Sequence, residues 1–216
     1  MRISHKFQFI YFSIPKTGSE SIRKFLDPIS DQKIVQFPEI DNNNPYYSHM
    51  RPCEIQSVFQ SRDLNYNLYI RLATVRNPWA RIASLYKMTQ RNWGDQLRLS
   101  FSEWIHTLDP TGNSTAHMPE KWYAHGVMSM KHFLTDQKGQ IMVDKVFRIE
   151  DQTDELFEAF SLMTSGRFLN QKLFHMNKAD QAYDWRSMYC QEAKKRVGDL
   201  YAEDIDLFKY MFHNNI

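Results

Sequence analysis

Glycine is scarce in this chain, 7 of 216 residues where about 7% is usual, so a glycine placed directly after an apolar run marks a turn that requires one. Cysteine is scarcer. Cys53 and Cys190 cannot make a disulfide framework and lack the spacing of metal ligands, which fits a reducing compartment and predicts two buried thiols. No run approaches the roughly 18 apolar residues of a membrane span. The opening MRISHKFQFIYFSIPKTG shows neither an apolar leader core nor a small-residue cleavage site. An excess of one charge is also lacking: 27 Lys and Arg stand against 25 Asp and Glu, a formal net charge of +2, so no nucleic-acid partner is expected. Apolar and aromatic residues are abundant, at 42% and 14%, too much for a disordered chain. The length predicts one compact domain over residues 1–216, with two small ones as the fallback.

Phe7 to Ile14 is aromatic and β-branched and ends at Pro15, the pattern of a buried strand. Ser19 can cap a helix from Glu20 to Leu26 with Ile22, Phe25 and Leu26 on one face. A short strand is expected at Lys33 to Phe37, a surface connection through DNNNPYYSHM, a helix from Arg51-Pro52 to Phe59, and a strand from Asn67 to Val75. Arg76-Asn77-Pro78 breaks that strand and a helix follows from Trp79 to Gln90. Beyond Phe101 the pattern is mostly helical, with a strand at Ile141 to Ile149, a helix at Thr153 to Met163, a polar loop at Thr164 to Asp184, and a long helical ending broken near Ala202. Strands alternating with helices predict an α/β fold: a mainly parallel sheet flanked by helices, with ligands gathered at the carboxyl ends of the strands.

Two loops at such ends carry chemistry. Pro15-Lys16-Thr17-Gly18-Ser19-Glu20-Ser21 offers backbone N–H groups at a helix start, three hydroxyls and a cation, an anion-binding composition. Its lysine precedes its single glycine, the reverse of the triphosphatase P-loop. Alone, the heptapeptide reads equally as a capped turn with a solvated lysine. The second loop places Arg76 at a strand end and Ser84 eight residues later on the next helix, a guanidinium and a hydroxyl suited to one phosphate. His117, His125 and His132 lack the i, i+4 spacing of a helical metal site, and no metal is expected. Trp79 and Trp185 suit core packing or stacking on a ring. Arg51, Arg62, Lys87 and Arg91 suit solvated charge or attraction of an acidic acceptor.

PKTGSES after a first strand and RNPWARIASLY after a later one resemble the two nucleotide-binding motifs of sulfotransferases that use 3′-phosphoadenosine-5′-phosphosulfate (PAPS), particularly the carbohydrate and membrane-type branch. Tyr47-Ser48-His49-Met50 is similar to the catalytic-base position of uronyl 2-O-sulfotransferase-like members. Arg148-Ile149-Glu150-Asp151, His175-Met176-Asn177-Lys178, Tyr183-Asp184-Trp185-Arg186 and LYAEDIDLFKYMF resemble closing segments of bacterial relatives, so the similarity runs over essentially the whole chain. The resemblance implies a P-loop-like strand-loop-helix holding the 5′-phosphosulfate through Pro15, Lys16, Thr17, Gly18, Ser19, Glu20 and Ser21, and Arg76 and Ser84 on the 3′-phosphate. It implies Lys16 and His49 as catalytic residues, PAPS as co-substrate, and a hydroxyl-bearing acceptor, in the first instance a glycan. Glu20 departs from the family, which usually has threonine or a small residue there; it is expected to face solvent and answer the helix dipole. With no leader or anchor pattern, the resemblance predicts a cytoplasmic enzyme of bacterial or viral origin.

Sulfuryl transfer needs in-line placement and stabilisation of charge on the leaving phosphate. Lys16 suits the second need, and His49, whose unperturbed class titrates near about 6.5, suits removal of the acceptor proton. A small-molecule or phenolic acceptor, a kinase-like phosphotransferase or triphosphatase, and a non-catalytic binding module are the alternatives.

Overall fold

The computed structural model describes residues 1–94, 98–111, 122–166 and 184–213. In chain order they form β1 (Arg2–Ser4), β2 (Phe9–Phe12), α1 (Ser19–Leu26), α2 (Pro52–Ser61), β3 (Ile70–Val75), α3 (Pro78–Trp93), α4 (Phe101–His106), α5 (Trp122–Val127), α6 (Met130–Leu134), β4 (Lys145–Arg148), α7 (Thr153–Met163), α8 (Gln191–Leu200) and α9 (Ala202–Phe208). The strands make one sheet in the order β1-β2-β3-β4. The β2–β3 and β3–β4 pairs are parallel and β1–β2 is antiparallel. This is the α/β arrangement that the alternation of strand and helix predicts. Among the described residues no helix is long and apolar enough to cross a membrane.

The chain packs into two compact units. The first, Met1–Val75 with Lys131–Asn177, contains the whole sheet. β2, FIYF, is buried at every position, which is why it reads as a continuous apolar run rather than an alternating one. Its Phe9 and Tyr11 join Leu72 and Phe147 of the sheet, Ile22 and Leu26 of α1, and Leu156 and Phe160 of α7 in one apolar cluster. Each such side chain contributes roughly 1.5–3 kcal/mol on burial, enough to seat both helices on that sheet face.

The second unit, Arg76–Met130 with Lys178–Ile216, is helical over its described residues. Trp79, Ile82, Ala83 and Tyr86 of α3 pack with Trp104 and Ile105 of α4 and Ala193 and Val197 of α8. Trp79 is therefore a core residue; its indole N–H donates to the Lys194 carbonyl at 2.9 Å. Arg81 is fully buried and its Nη2 donates to the carbonyls of Gly126 and Met128 at 2.9 and 2.7 Å, bonds that offset the cost of burying a cation.

Four expectations are corrected. The apolar opening is a hairpin rather than one strand, because Gln8 takes φ 52° and turns the chain between β1 and β2. Lys33 to Phe37 makes only a single bridge, Val35 to Tyr47, before the Pro38-containing 3-10 turn Phe37–Glu39. The fourth strand is limited to Lys145–Arg148, Ile141 forming a separate bridge with Thr135. Cys53 is half-buried and Cys190 exposed, so neither is a buried thiol. Most of the polar stretch from Thr164 to Asp184, with His175, Asn177, Lys178 and Tyr183, lies outside the described residues, as does His117.

Candidate functional site

After β2 the chain passes through Ser13 and Ile14 into the loop Pro15 to Ser21. Lys16 has φ 67° and Gly18 φ 72°, left-handed values that a lysine holds only where its surroundings enforce them. Gly18, not Ser19, occupies the N-cap of α1, and no side chain caps it. The Ser19 hydroxyl turns back to donate to the Ile14 carbonyl at 3.1 Å. A Cβ on Gly18 would stand 3.1 Å from Ile149 Cγ1. Gly18→Ala is thus expected to cost about 1–2 kcal/mol from the left-handed backbone plus displacement of Ile149, read as a lowered thermal midpoint. An unchanged midpoint would mean that the loop is not held in this shape.

Thr17 is fully buried and its hydroxyl donates to the Ile14 carbonyl at 3.0 Å. Thr74 of β3 stands beside it, Oγ1 lying 3.3 Å from the Thr17 carbonyl, 3.3 Å from Thr17 Oγ1 and 2.7 Å from the Tyr11 hydroxyl. Burial pushes the Tyr11 phenol far above its ordinary range, against the opposing effect of its hydrogen bond to Thr74, so it stays a proton donor. The hydroxyls of Thr17 and Ser19 thus shape the loop from within. Ser21 is half-buried and Glu20 exposed, the Glu20 carboxylate standing 3.9 Å from Lys24 one turn on. The carboxylate that departs from the family pattern points outward, as expected.

His49 lies at the same strand end. Its Nδ1 is 2.7 Å from the Ser13 carbonyl. A carbonyl only accepts, so neutral His49 carries its proton on Nδ1 and Nε2 is its basic nitrogen. The preceding Ser48 accepts a hydrogen bond from Arg23 Nη1 at 2.8 Å. Burial and then the nearby Arg2 pull the Arg23 guanidinium below its ordinary value. Arg51 and Arg62 hold backbone: Arg51 donates to the Thr135 carbonyl, Arg62 to that of Asn42.

The second motif belongs to the other unit. Arg76 directly follows β3, is half-buried, and its N–H donates to Met130 Sδ at 3.4 Å. Met130 N–H in turn donates to the fully buried Asp204 carboxylate of α9 at 2.7 Å. Asn77 caps α3, its Oδ1 accepting from the N–H of Trp79 and Ala80 at 3.1 and 3.4 Å, while its Nδ2 donates to the Met211 carbonyl at 2.9 Å. Ser84, half-buried, is two helical turns past Asn77 and so on nearly the same face. The loop 15–21 and His49 are thus grouped in the first unit, and Arg76 and Ser84 in the second.

Sequence reasoning misses Tyr11, Thr74, Met130 and Asp204. Only a polar residue inside an apolar strand run, Thr74 in IRLATV, signals any of them. Among the described residues no three His, Cys, Asp or Glu side chains are grouped as metal ligands would be. Comparison with curated proteins and with solved structures gives no match. The family model described as "Sulfotransferase family" matches residues 1–211. That span takes in the hairpin, both loops, His49 and the helix carrying Asp204, and the chain belongs to the sulfotransferase family.

Proposed function

We propose that this chain transfers the sulfuryl group of PAPS to a hydroxyl of a carbohydrate acceptor, with His49 as general base and Lys16 as the cation that follows charge onto the leaving phosphate. The observation that carries the proposal is the His49 Nδ1 bond to the Ser13 carbonyl, two residues ahead of Pro15, which supports the reading of His49 as a base acting next to the loop Pro15 to Ser21. In the transfer, the acceptor oxygen attacks sulfur as the bond from sulfur to the 5′-phosphate oxygen breaks. The acceptor proton passes to His49 Nε2, and the products are the sulfate ester and adenosine 3′,5′-bisphosphate. Lys16 and the N–H groups at the start of α1 meet charge on the departing phosphate, an interaction that strengthens as the transition state forms. Arg76 and Ser84 hold the 3′-phosphate. Near the base, Tyr47 packs edge-on against the exposed Phe37, ring centroids 5.1 Å apart, which supports an acceptor with an apolar face to stack; the resemblance narrows it to a glycan.

Calorimetric titration with adenosine 3′,5′-bisphosphate, with ADP and 5′-AMP as controls, tests the donor site without the acceptor. The bisphosphate is expected to bind best, and Arg76→Ala to weaken it by roughly 10- to 100-fold, the worth of a charge-assisted hydrogen bond. Equal or better binding of ADP would favour a kinase-like enzyme, and no binding of any nucleotide would favour a non-catalytic module.

A further inference from the structure

We infer that Thr74, on β3, is a positioning residue for the 5′-phosphosulfate site, because its hydroxyl fixes the direction of the Gly18 N–H; this rests on the PAPS reading above. Carbonyl oxygens only accept, which sets the direction of the bonds made to them in the buried cluster. Tyr11, Thr74 and Thr17 each have one O–H, and the partners available are the Ile14 carbonyl, the Thr17 carbonyl and one another. The bonds to the two carbonyls can run only one way, from Thr74 O–H to the Thr17 carbonyl at 3.3 Å and from Thr17 O–H to the Ile14 carbonyl at 3.0 Å, and Tyr11 O–H, with no other acceptor in the cluster, donates to Thr74 Oγ1. The Ile14 carbonyl takes its second bond from Ser19. The Thr17 carbonyl is therefore drawn toward the sheet, and the Ile14 carbonyl is held by the loop's own hydroxyls.

A trans peptide is planar, with its C=O and N–H pointing in opposite directions. Holding the Thr17 carbonyl inward on Thr74 consequently turns the Gly18 N–H outward, at the exposed residue that heads α1. The donor available to an anion is thus set by a side chain 57 residues away in sequence that itself touches no ligand. Thr74 is fully buried, and valine matches its shape and strand preference, so Thr74→Val removes the hydroxyl with little change in packing.

The test compares affinities for adenosine 3′,5′-bisphosphate and adenosine 3′-monophosphate in the full chain, in Thr74→Val, and in Thr74→Ser, which keeps the hydroxyl. Wild type should prefer the bisphosphate. Thr74→Val should lose about tenfold in bisphosphate affinity, the order of one hydrogen bond to an anion, while its 3′-monophosphate affinity stays within about twofold; Thr74→Ser should restore the preference. Equal weakening of both nucleotides in Thr74→Val, an unchanged bisphosphate affinity, or a Thr74→Ser as weak as Thr74→Val would each overturn the role of Thr74 while leaving the PAPS reading in place. A wild type without preference for the bisphosphate would overturn the PAPS reading, and this inference with it. Should Thr74→Val fail to fold, Tyr11→Phe removes only the donor to Thr74 and should show the same selective loss in smaller measure, equal losses for both nucleotides again counting against it.

Discussion

Lys16→Ala is expected to lower kcat by about 10²–10³-fold, the usual cost of removing one group aimed at developing charge, with the thermal midpoint unchanged. The backbone explains the second half of that expectation. Lys16 sits at φ 67°, and alanine is no better suited to that conformation than lysine, so the substitution neither relieves nor adds strain. The loop itself is held through the Ile14 and Thr17 carbonyls. Single-turnover rates with PAPS saturating separate the chemical step from binding. Near-normal turnover would remove Lys16 from the mechanism, and a collapse of the thermal midpoint would reassign it to structure.

His49→Asn should cost about 10²–10⁴-fold in kcat, the span of general-base catalysis, while bisphosphate affinity stays within about twofold. Asparagine is the informative replacement because its amide N–H can take the place of Nδ1–H in donating to the Ser13 carbonyl, 2.7 Å from the imidazole, yet it has no basic nitrogen. The anchor survives and the base does not. The sign of the pH dependence follows: protonating Nε2 as pH falls removes the base, so the wild-type rate should drop on the acidic side, and that limb should vanish from the residual activity of His49→Asn. An acidic limb that persists in the variant would assign the proton to another group.

The two strand-loop-helix units are legible in the sequence because proline marks each strand end and apolar spacing marks each helix. Thr153–Met163 matches its expected bounds, and Pro52 opens α2 at a first helical position. The β1–β2 hairpin is not legible, since its turn contains no glycine and Gln8 carries the positive φ instead. Lys33 to Phe37 has strand composition, but its one bridge shows how little a short alternation specifies without a partner of equal length. At the site, the residue types in both loops are readable, whereas the inward direction of the Thr17 carbonyl is not. It depends on a strand that arrives much later in the chain, and no local pattern encodes it. The role of Asp204, which holds Met130 and through it the Arg76 backbone, is hidden for the same reason.

The parallel pairing of β2 with β3 also orders events during folding. A hairpin partner such as β1 can dock on β2 at once, whereas β3 must close a long loop before Thr74 reaches Thr17, and such non-local closures are slow. Until then nothing holds the Thr17 carbonyl inward. The anion loop is therefore a late product of folding, and nucleotide binding by a refolding chain would report the docking of β3 on β2, not the formation of α1.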